Sequence, residues 1–506
     1  MRLKKILQNS VMETFFYIII AIVGLLKVKY IIQGLGSEMN GYYQFINNIV
    51  AYVVLAEAGI SAAILYKMYK PVANKDYKKI SQLFNGSKSI LKGIGLLFIA
   101  IAVVLLPFIY FTIRNFRTFL LVGFCFMMLI FAVAIPYIFG TRSYTSLLTA
   151  DQKRFTYGLV FNISRLFTDI FIIIFVLYTN SLISIVIINL IFKILETFII
   201  TSYCKKKYKY LDKNEKPDKS AKKMSGYMLY HQIGYIVFNN VDQILLMLFS
   251  GPVMVSIYSS YNYIATFIKE IMDKNNQMIN NIFGNSFAKK EKNTYEYFKG
   301  YMSIFSALSI IIAICFILGG RSFINLWIGN SKYLLDYYAV CAFAGIIVLT
   351  IVLSSINTII HTNGLFKESK FYPIFESVLN IILSVILINF LGITGVLFAT
   401  IISNFIGMFV RVKLINEKVF KDISFKVLIY KPVLTICIFL IICLLLKNIE
   451  SFYFASSLNF ISWFLIMGIT FVCVSILVLV LYYIFDKNMK ENINMVFRRG
   501  KYAKSR

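Results

Sequence analysis

The chain reads as an all-α integral membrane protein with about 14 transmembrane helices: two six-helix lobes related by a pseudo-twofold axis, plus two C-terminal helices. Three observations point there. Of 506 residues, 59% are hydrophobic and 15% charged, with a mean hydropathy of +0.75. A water-soluble fold has nowhere to hide that much apolar surface, so the solvent is lipid. Apolar runs of roughly 18 to 25 residues recur along the chain, each long enough to cross a bilayer as a helix. Finally, the chain repeats itself at an offset of 215: Gly36, Met39 and Tyr43 recur as Gly251, Met254 and Tyr258, and Ala73, Lys75 and Asp76 as Ala288, Lys290 and Glu291. Phe155 recurs as Phe371, with the offset slipping by one, and Asn189 as Asn404. Chance identities would scatter in offset, and these do not.

The spans fall at roughly 14–33, 42–66, 89–111, 118–140, 156–178, 181–203, 227–250, 252–272, 298–318, 337–360, 371–391, 393–415, 427–446 and 458–485. The first is interrupted by Lys27 and Lys29 and lacks a small-residue cleavage site, so it is read as a retained helix rather than a signal peptide. Spans one to six form an N-lobe over 1–203. A basic cytoplasmic linker with nine Lys follows over 204–226, then a C-lobe of spans seven to twelve over 227–426. Spans thirteen and fourteen occupy 427–485, outside the repeat, and 486–506 is a basic cytoplasmic tail.

Charge sets the orientation. Of 52 Lys and Arg, five (Arg114, Arg117, Arg321, Lys332, Lys447) lie on one side and six (Lys27, Lys29, Lys92, Arg165, Lys193, Lys431) inside spans. The other 41 lie at the termini or in and beside the even-to-odd loops, which places both termini in the cytoplasm by the positive-inside rule. The net charge of +29 is thus a membrane signature, with attraction to anionic lipid headgroups, and no nucleic-acid partner is expected. The aromatic content, 34 Tyr and 47 Phe, suits bilayer interfaces.

No catalytic constellation is visible. The seven Cys form no CxxC and read as core thiols; His231 and His361 form no ligand cluster. There is no phosphate-binding glycine loop, and no polar domain large enough for a nucleotide-sugar, so an enzyme is not expected. What remains are ionisable residues within the spans, which are costly in lipid and therefore face a cavity or a partner. Candidate substrate-binding residues are Lys27, Lys29, Glu57, Arg165, Lys193 and Asp242. Arg165 with Asp169 and Lys193 with Glu196 stand at i,i+4 and i,i+3 spacing and are expected to neutralise one another locally. Glu376, near the cytoplasmic end of span eleven, is expected to reach the interface. Lys27 and Asp242 are related by the repeat offset, which predicts opposite charges at equivalent depth, facing a central cavity: a cation suited to a phosphate and an acid suited to a coupling cation.

The phrases Gly34–Tyr43 (GLGSEMNGYY), Leu55–Ile64 (LAEAGISAAI), Tyr69–Ile80 (YKPVANKDYKKI), Asn239–Ile244 (NNVDQI), Ser250–Tyr258 (SGPVMVSIY) and Leu391–Ser403 (LGITGVLFATIIS) resemble, in this order, the polysaccharide-exporter branch of the multidrug/oligosaccharidyl-lipid/polysaccharide (MOP) superfamily. The resemblance covers about residues 5 to 485. It implies a Wzx-type flippase that moves undecaprenyl-diphosphate-linked oligosaccharide repeat units across the bacterial cytoplasmic membrane for surface polysaccharide, by alternating access. Implied partners are that lipid-linked oligosaccharide, membrane lipids, a polysaccharide polymerase and glycosyltransferases. No cofactor is implied beyond a Na+ or H+ gradient. Lipid II flippases carry arginines in the first two helices; span one here offers lysines and span two Glu57, which argues against that cargo. The alternative within the superfamily is a cation-coupled exporter of small molecules, which would favour an acidic cavity. A transport-inactive scaffold is a third class, with nothing specific in its favour.

Overall fold

The computed structural model describes residues 2–54, 57, 59–218, 220, 241–288, 294–456 and 459–486. The expectations resting on His231, Lys290, Glu291, the linker beyond 220, the first part of span seven and the tail beyond 486 lie outside them. Among the described residues every regular element is a helix, and ten helices are long and apolar enough to cross a bilayer. The expected all-α membrane fold is what the chain adopts. It forms two compact units, Met1–Ser256 and Ile257–Arg506. This contact boundary is a different quantity from the repeat boundary read from sequence.

In the first unit, α1 runs Arg2–Val54 and covers what the sequence separates into two spans. The two are joined at Gly36, whose φ of 84° and ψ of 166° leave the helical region. Only a residue without Cβ enters that region at little cost, so the break sits where the sequence has glycine. A second break follows, with Gly59 at φ 78° capping α2 (Ile60–Ala73). Glu57 therefore lies between α1 and α2, and not within one unbroken helix.

Helix α3 (Tyr77–Ile113) begins twelve residues before the expected span, because Asp76 caps it by accepting from the Lys79 amide at 3.0 Å. After α4 (Phe116–Ile138), Gly140 at φ 79° turns the chain into the short α5 (Thr141–Ala150), an element the sequence reading missed. Then come α6 (Arg154–Thr179), α7 (Leu182–Lys207) and α8 (Val241–Ser250). Helix α9 (Pro252–Ala288) spans the boundary of the units.

The linker after α7 folds back on α3. The Asp218 amide donates to the Gln82 carbonyl at 2.9 Å, and Asn85 donates to the carbonyls of Asp212 and Glu215 at 2.9 and 3.0 Å. Lys79 pairs with Asp218 at 2.9 Å, and Tyr208 donates to Asp151 at 3.0 Å. Hydrogen bonds from Ser220, then the Lys79 ammonium, hold the Asp218 carboxyl well below the usual carboxylate range. Burial, helped by Asp151, pushes the Tyr210 hydroxyl up to about 12.

In the second unit, α10 (Thr294–Ile328) and α11 (Tyr337–Thr362) are the enclosed centre: 78% and 83% of their most apolar stretches are buried. A one-turn α12 (Phe366–Ser369) precedes α13 (Tyr372–Lys418), which again joins two expected spans, here across Gly392 at φ 56° and ψ −132°. Helices α14 (Phe425–Leu445), α15 (Lys447–Ser456) and α16 (Phe460–Phe485) complete it. Only 11% of the apolar stretch of α16 is buried, so its surface is left to lipid.

The repeat recurs in backbone geometry. Gly36 and Gly251 have φ of 84° and 82°. Arg114 and Gly329, also 215 apart, end α3 and α10 at φ of 58° and 72°.

Candidate functional site

Ionic groups within the membrane helices of the first unit form two clusters. In the first, the Lys27 ammonium of α1 meets Asp169 Oδ1 of α6 at 2.7 Å, with 22% of the lysine side chain exposed and 5% of the aspartate. Asp169 was expected to pair with Arg165, one turn earlier on its own helix. Arg165 is exposed instead, and the carboxylate goes to the neighbouring helix. Lys29, two residues on, is half-buried.

The second cluster gathers around Arg142, which the sequence reading passed over. Glu57 accepts from Ser61 Oγ through one carboxylate oxygen and from Tyr137 Oη through the other. The Arg142 guanidinium stands 5.0 Å from the centre of the same Tyr137 ring and lies within electrostatic range of Glu57 and Glu196. Arg142 is held there by α5, which the Thr141–Thr201 hydroxyl contact at 2.8 Å ties to α7. On α7, Lys193 pairs with Glu196 at 2.8 Å, as its i,i+3 spacing predicted, and lies 5.4 Å from the Phe161 ring. Glu57 and Lys193, unrelated in sequence, thus belong to one network of two cations and two carboxylates joined through Arg142.

Asp242 is 5% exposed on α8, within electrostatic range of Tyr52 of α1. The region around it docks on α1 by polar contacts: Asn48 Nδ2 donates to Gln243 Oε1, and Asn40 Nδ2 to Ser256 Oγ at 2.6 Å. Gly41 permits the approach, since a Cβ there would overlap the Pro252 backbone.

In the second unit, Glu376 corrects its expectation. It does not reach the interface: it is 4% exposed and accepts both Nη groups of Arg411, with Nη2 to Oε2 at 2.8 Å. The two sit on opposite arms of α13, and Gly407 leaves room for the carboxylate. One turn further in, Asn380 Nδ2 donates to Thr400 Oγ1 at 2.9 Å. Asn380 Oδ1 and Ser384 Oγ are buried without a hydrogen-bond partner among the described residues. Among those residues no group of three or more His, Cys, Asp or Glu is placed to hold a metal ion.

A bundle of apolar helices long enough to cross a bilayer, broken at glycines and holding paired charges, defines a multi-pass membrane protein. Solved structures agree on the fold. The lipid II flippase MurJ, in an inward closed conformation, matches with a TM-score of 0.67 at 16% identity, over 94% of this chain and 99% of that one. An inward-facing multidrug resistance MATE family transporter of the MOP superfamily matches with a TM-score of 0.67 at 14% identity, over 78% of this chain and 95% of that one. The Vibrio cholerae MATE transporter VcmN matches with a TM-score of 0.57 at 13% identity, over 82% and 97%. No curated protein sequence matches this chain. The model of the family described as "Polysaccharide biosynthesis protein" matches residues 6–273, and the chain belongs to that family. Its fold is the one these solved membrane transporters and flippase share.

Proposed function

We propose that the protein translocates undecaprenyl-diphosphate-linked oligosaccharide repeat units across the bacterial cytoplasmic membrane, with both termini in the cytoplasm, for surface polysaccharide assembly. The observation that carries this is the polysaccharide-biosynthesis family match over 6–273 on a chain built of membrane-crossing helices. The cargo joins an anionic diphosphate, a polar glycan and a polyprenyl tail. Lys27, Lys29, Arg142 and Lys193 are cations kept at membrane depth, which attract a diphosphate that lipid alone would reject. Glu57, Glu196 and Asp169 keep those cations from standing uncompensated when no cargo is bound. The repeat lobes, 1–203 and 227–426, exchange cargo by alternating access, driven by a Na+ or H+ gradient. The unpartnered oxygens of Asn380 and Ser384, in the second unit, have the ligand chemistry of a hard cation; Asp242, in the first unit, is a separate acidic candidate for the coupling cation. The protein performs no bond chemistry itself. A polymerase and glycosyltransferases act before and after it on the same lipid-linked units.

The test is deletion of the gene followed by leaflet-specific measurement of lipid-linked repeat units. Accumulation on the cytoplasmic leaflet, with loss of surface polysaccharide, is expected. Normal surface polysaccharide, or accumulation on the outer leaflet, refutes the reading.

A further inference from the structure

We infer that Asp169 acts as a stand-in for the cargo phosphate: it holds the Lys27 ammonium when the site is empty and yields it to the diphosphate when cargo enters. This rests on the proposed reading of the cargo as diphosphate-linked. Four observations carry it. The pair is cross-helical, α1 to α6, with the ammonium 2.7 Å from the carboxylate, so its partner choice is set by tertiary packing. Exposure is lopsided, 22% for the lysine side chain against 5% for the aspartate, so an arriving anion meets the cation and not the enclosed carboxylate. Arg165, one turn before Asp169, leaves that carboxylate to Lys27. The cation is also an ammonium, a compact point charge that changes partners more readily than a guanidinium fork.

The contrast with Glu376 and Arg411 sharpens the point. There both side chains are enclosed, 5% and 10% exposed, and both Nη groups are engaged, as suits a fixed pair. At Lys27 the geometry suits exchange. Freeing an enclosed carboxylate is unfavourable, so the incoming group must carry more negative charge than Asp169 does. A diphosphate meets that condition, whereas a neutral or cationic molecule does not. Competition from Asp169 also keeps the bound state weak enough to release. Asp169 is thus a specificity-determining residue that acts through Lys27 without touching the cargo.

The experiment uses the full chain in nanodiscs, titrated with undecaprenyl diphosphate lacking its glycan, with undecaprenol as the uncharged control. Asp169→Asn is expected to bind the diphosphate roughly tenfold more tightly and release it more slowly, the lower end of what removing a close charge competitor does. Lys27→Gln is expected to bind roughly tenfold more weakly, and Lys27→Gln with Asp169→Asn no better than Lys27→Gln alone, since the competitor matters only while the lysine is present. Asp169→Glu, which keeps the charge, should stay near wild type. If Asp169→Asn binds no more tightly while Lys27→Gln binds more weakly, Asp169 is a structural clamp and this inference falls while the cargo reading stands. If wild type does not distinguish the diphosphate from undecaprenol, the cargo reading itself falls, and this inference with it. Should Asp169→Asn be lost from the membrane, the unaltered protein carries the test: its infrared carboxylate stretch must shift on adding the diphosphate, and an unchanged spectrum overturns the exchange.

Discussion

Gly407→Ala is a one-methyl change whose effect should be large for a single reason. A Cβ at Gly407 would fall inside the Glu376 carboxyl group, and even Glu376 Cγ would be 2.8 Å away. Glu376 cannot retreat along its own stem without leaving Arg411, and Arg411 is 9% exposed with little water to replace its partner. The methyl therefore separates a buried, doubly hydrogen-bonded ion pair. Breaking such a pair by removing one partner costs about 3–5 kcal/mol. An added methyl that leaves the pair partly joined should cost somewhat less, about 2–4 kcal/mol on the same scale. The assay is unfolding of the detergent-solubilised protein, as loss of the monodisperse peak against temperature, for wild type, Gly407→Ala, Glu376→Ala and the double variant. Gly407→Ala alone should lower the midpoint by several degrees. In the Glu376→Ala background the same change should do almost nothing, because the atom it collides with is gone. An unchanged midpoint for Gly407→Ala, or an equal drop in both backgrounds, would refute the packing argument.

Other expectations follow from the same structure. Gly86→Val should undock the linker, because a Cβ at Gly86 would overlap the Asp218 backbone, and faster tryptic cleavage at Lys213 would report it. Because the folded-state pKa of Asp218 is depressed, its contribution to docking is complete above the ordinary carboxylate value near 4 and is lost only as pH falls through the lower folded value. A spin label at Asn214 should accordingly keep the same mobility from pH 8 to about pH 4.5. Reporter fusions at Lys213 and near Asn330 should report opposite sides, cytoplasm and outside respectively; the same side for both would refute the orientation. Arg142→Ala should reduce surface polysaccharide roughly tenfold or more, and Arg142→Lys should not restore it, since an ammonium does not reproduce a planar guanidinium over the Tyr137 ring.

Sequence alone gave the helices but few of the partnerships. Hydropathy runs locate helices because lipid demands length and apolarity from each one separately, and spans near 337–360 and 427–446 differ from α11 and α14 by only a residue or two. It missed the extra turns of α3, where Lys78, Lys79 and Lys88 break the apolar run that hydropathy detects, although Asp76 was there to mark the cap. The Lys193–Glu196 pair was legible because both residues share one helix. Lys27 and Asp169 lie 142 residues apart, and no local pattern joins them. Arg142 and Arg411 were counted with the cytoplasmic loops by the charge rule, which sorts residues by side of the membrane and is blind to depth. For Arg411 a signal was available. Glu376 and Arg411 lie at similar distances before and after the turn at Gly392, so two antiparallel arms must bring them level.

The repeat adds a step to this. Glu196 and Arg411 are 215 residues apart and so occupy equivalent positions in the two halves, yet they carry opposite charge. In the first half Glu196 is compensated by Lys193 and lies near Arg142; in the second Arg411 is compensated by Glu376. Had the halves conserved only a shape, an apolar residue would satisfy lipid at that depth more cheaply than either charge. Had they conserved a ligand contact, the sign would have been kept. What the two halves share is a charged position with its own counter-charge close by, solved once with a network of four groups half open to its surroundings and once with a closed arginine fork. On the proposed reading of the cargo, the open version is the one suited to exchange partners with an anion, while the closed pair of the second unit braces the two arms of α13.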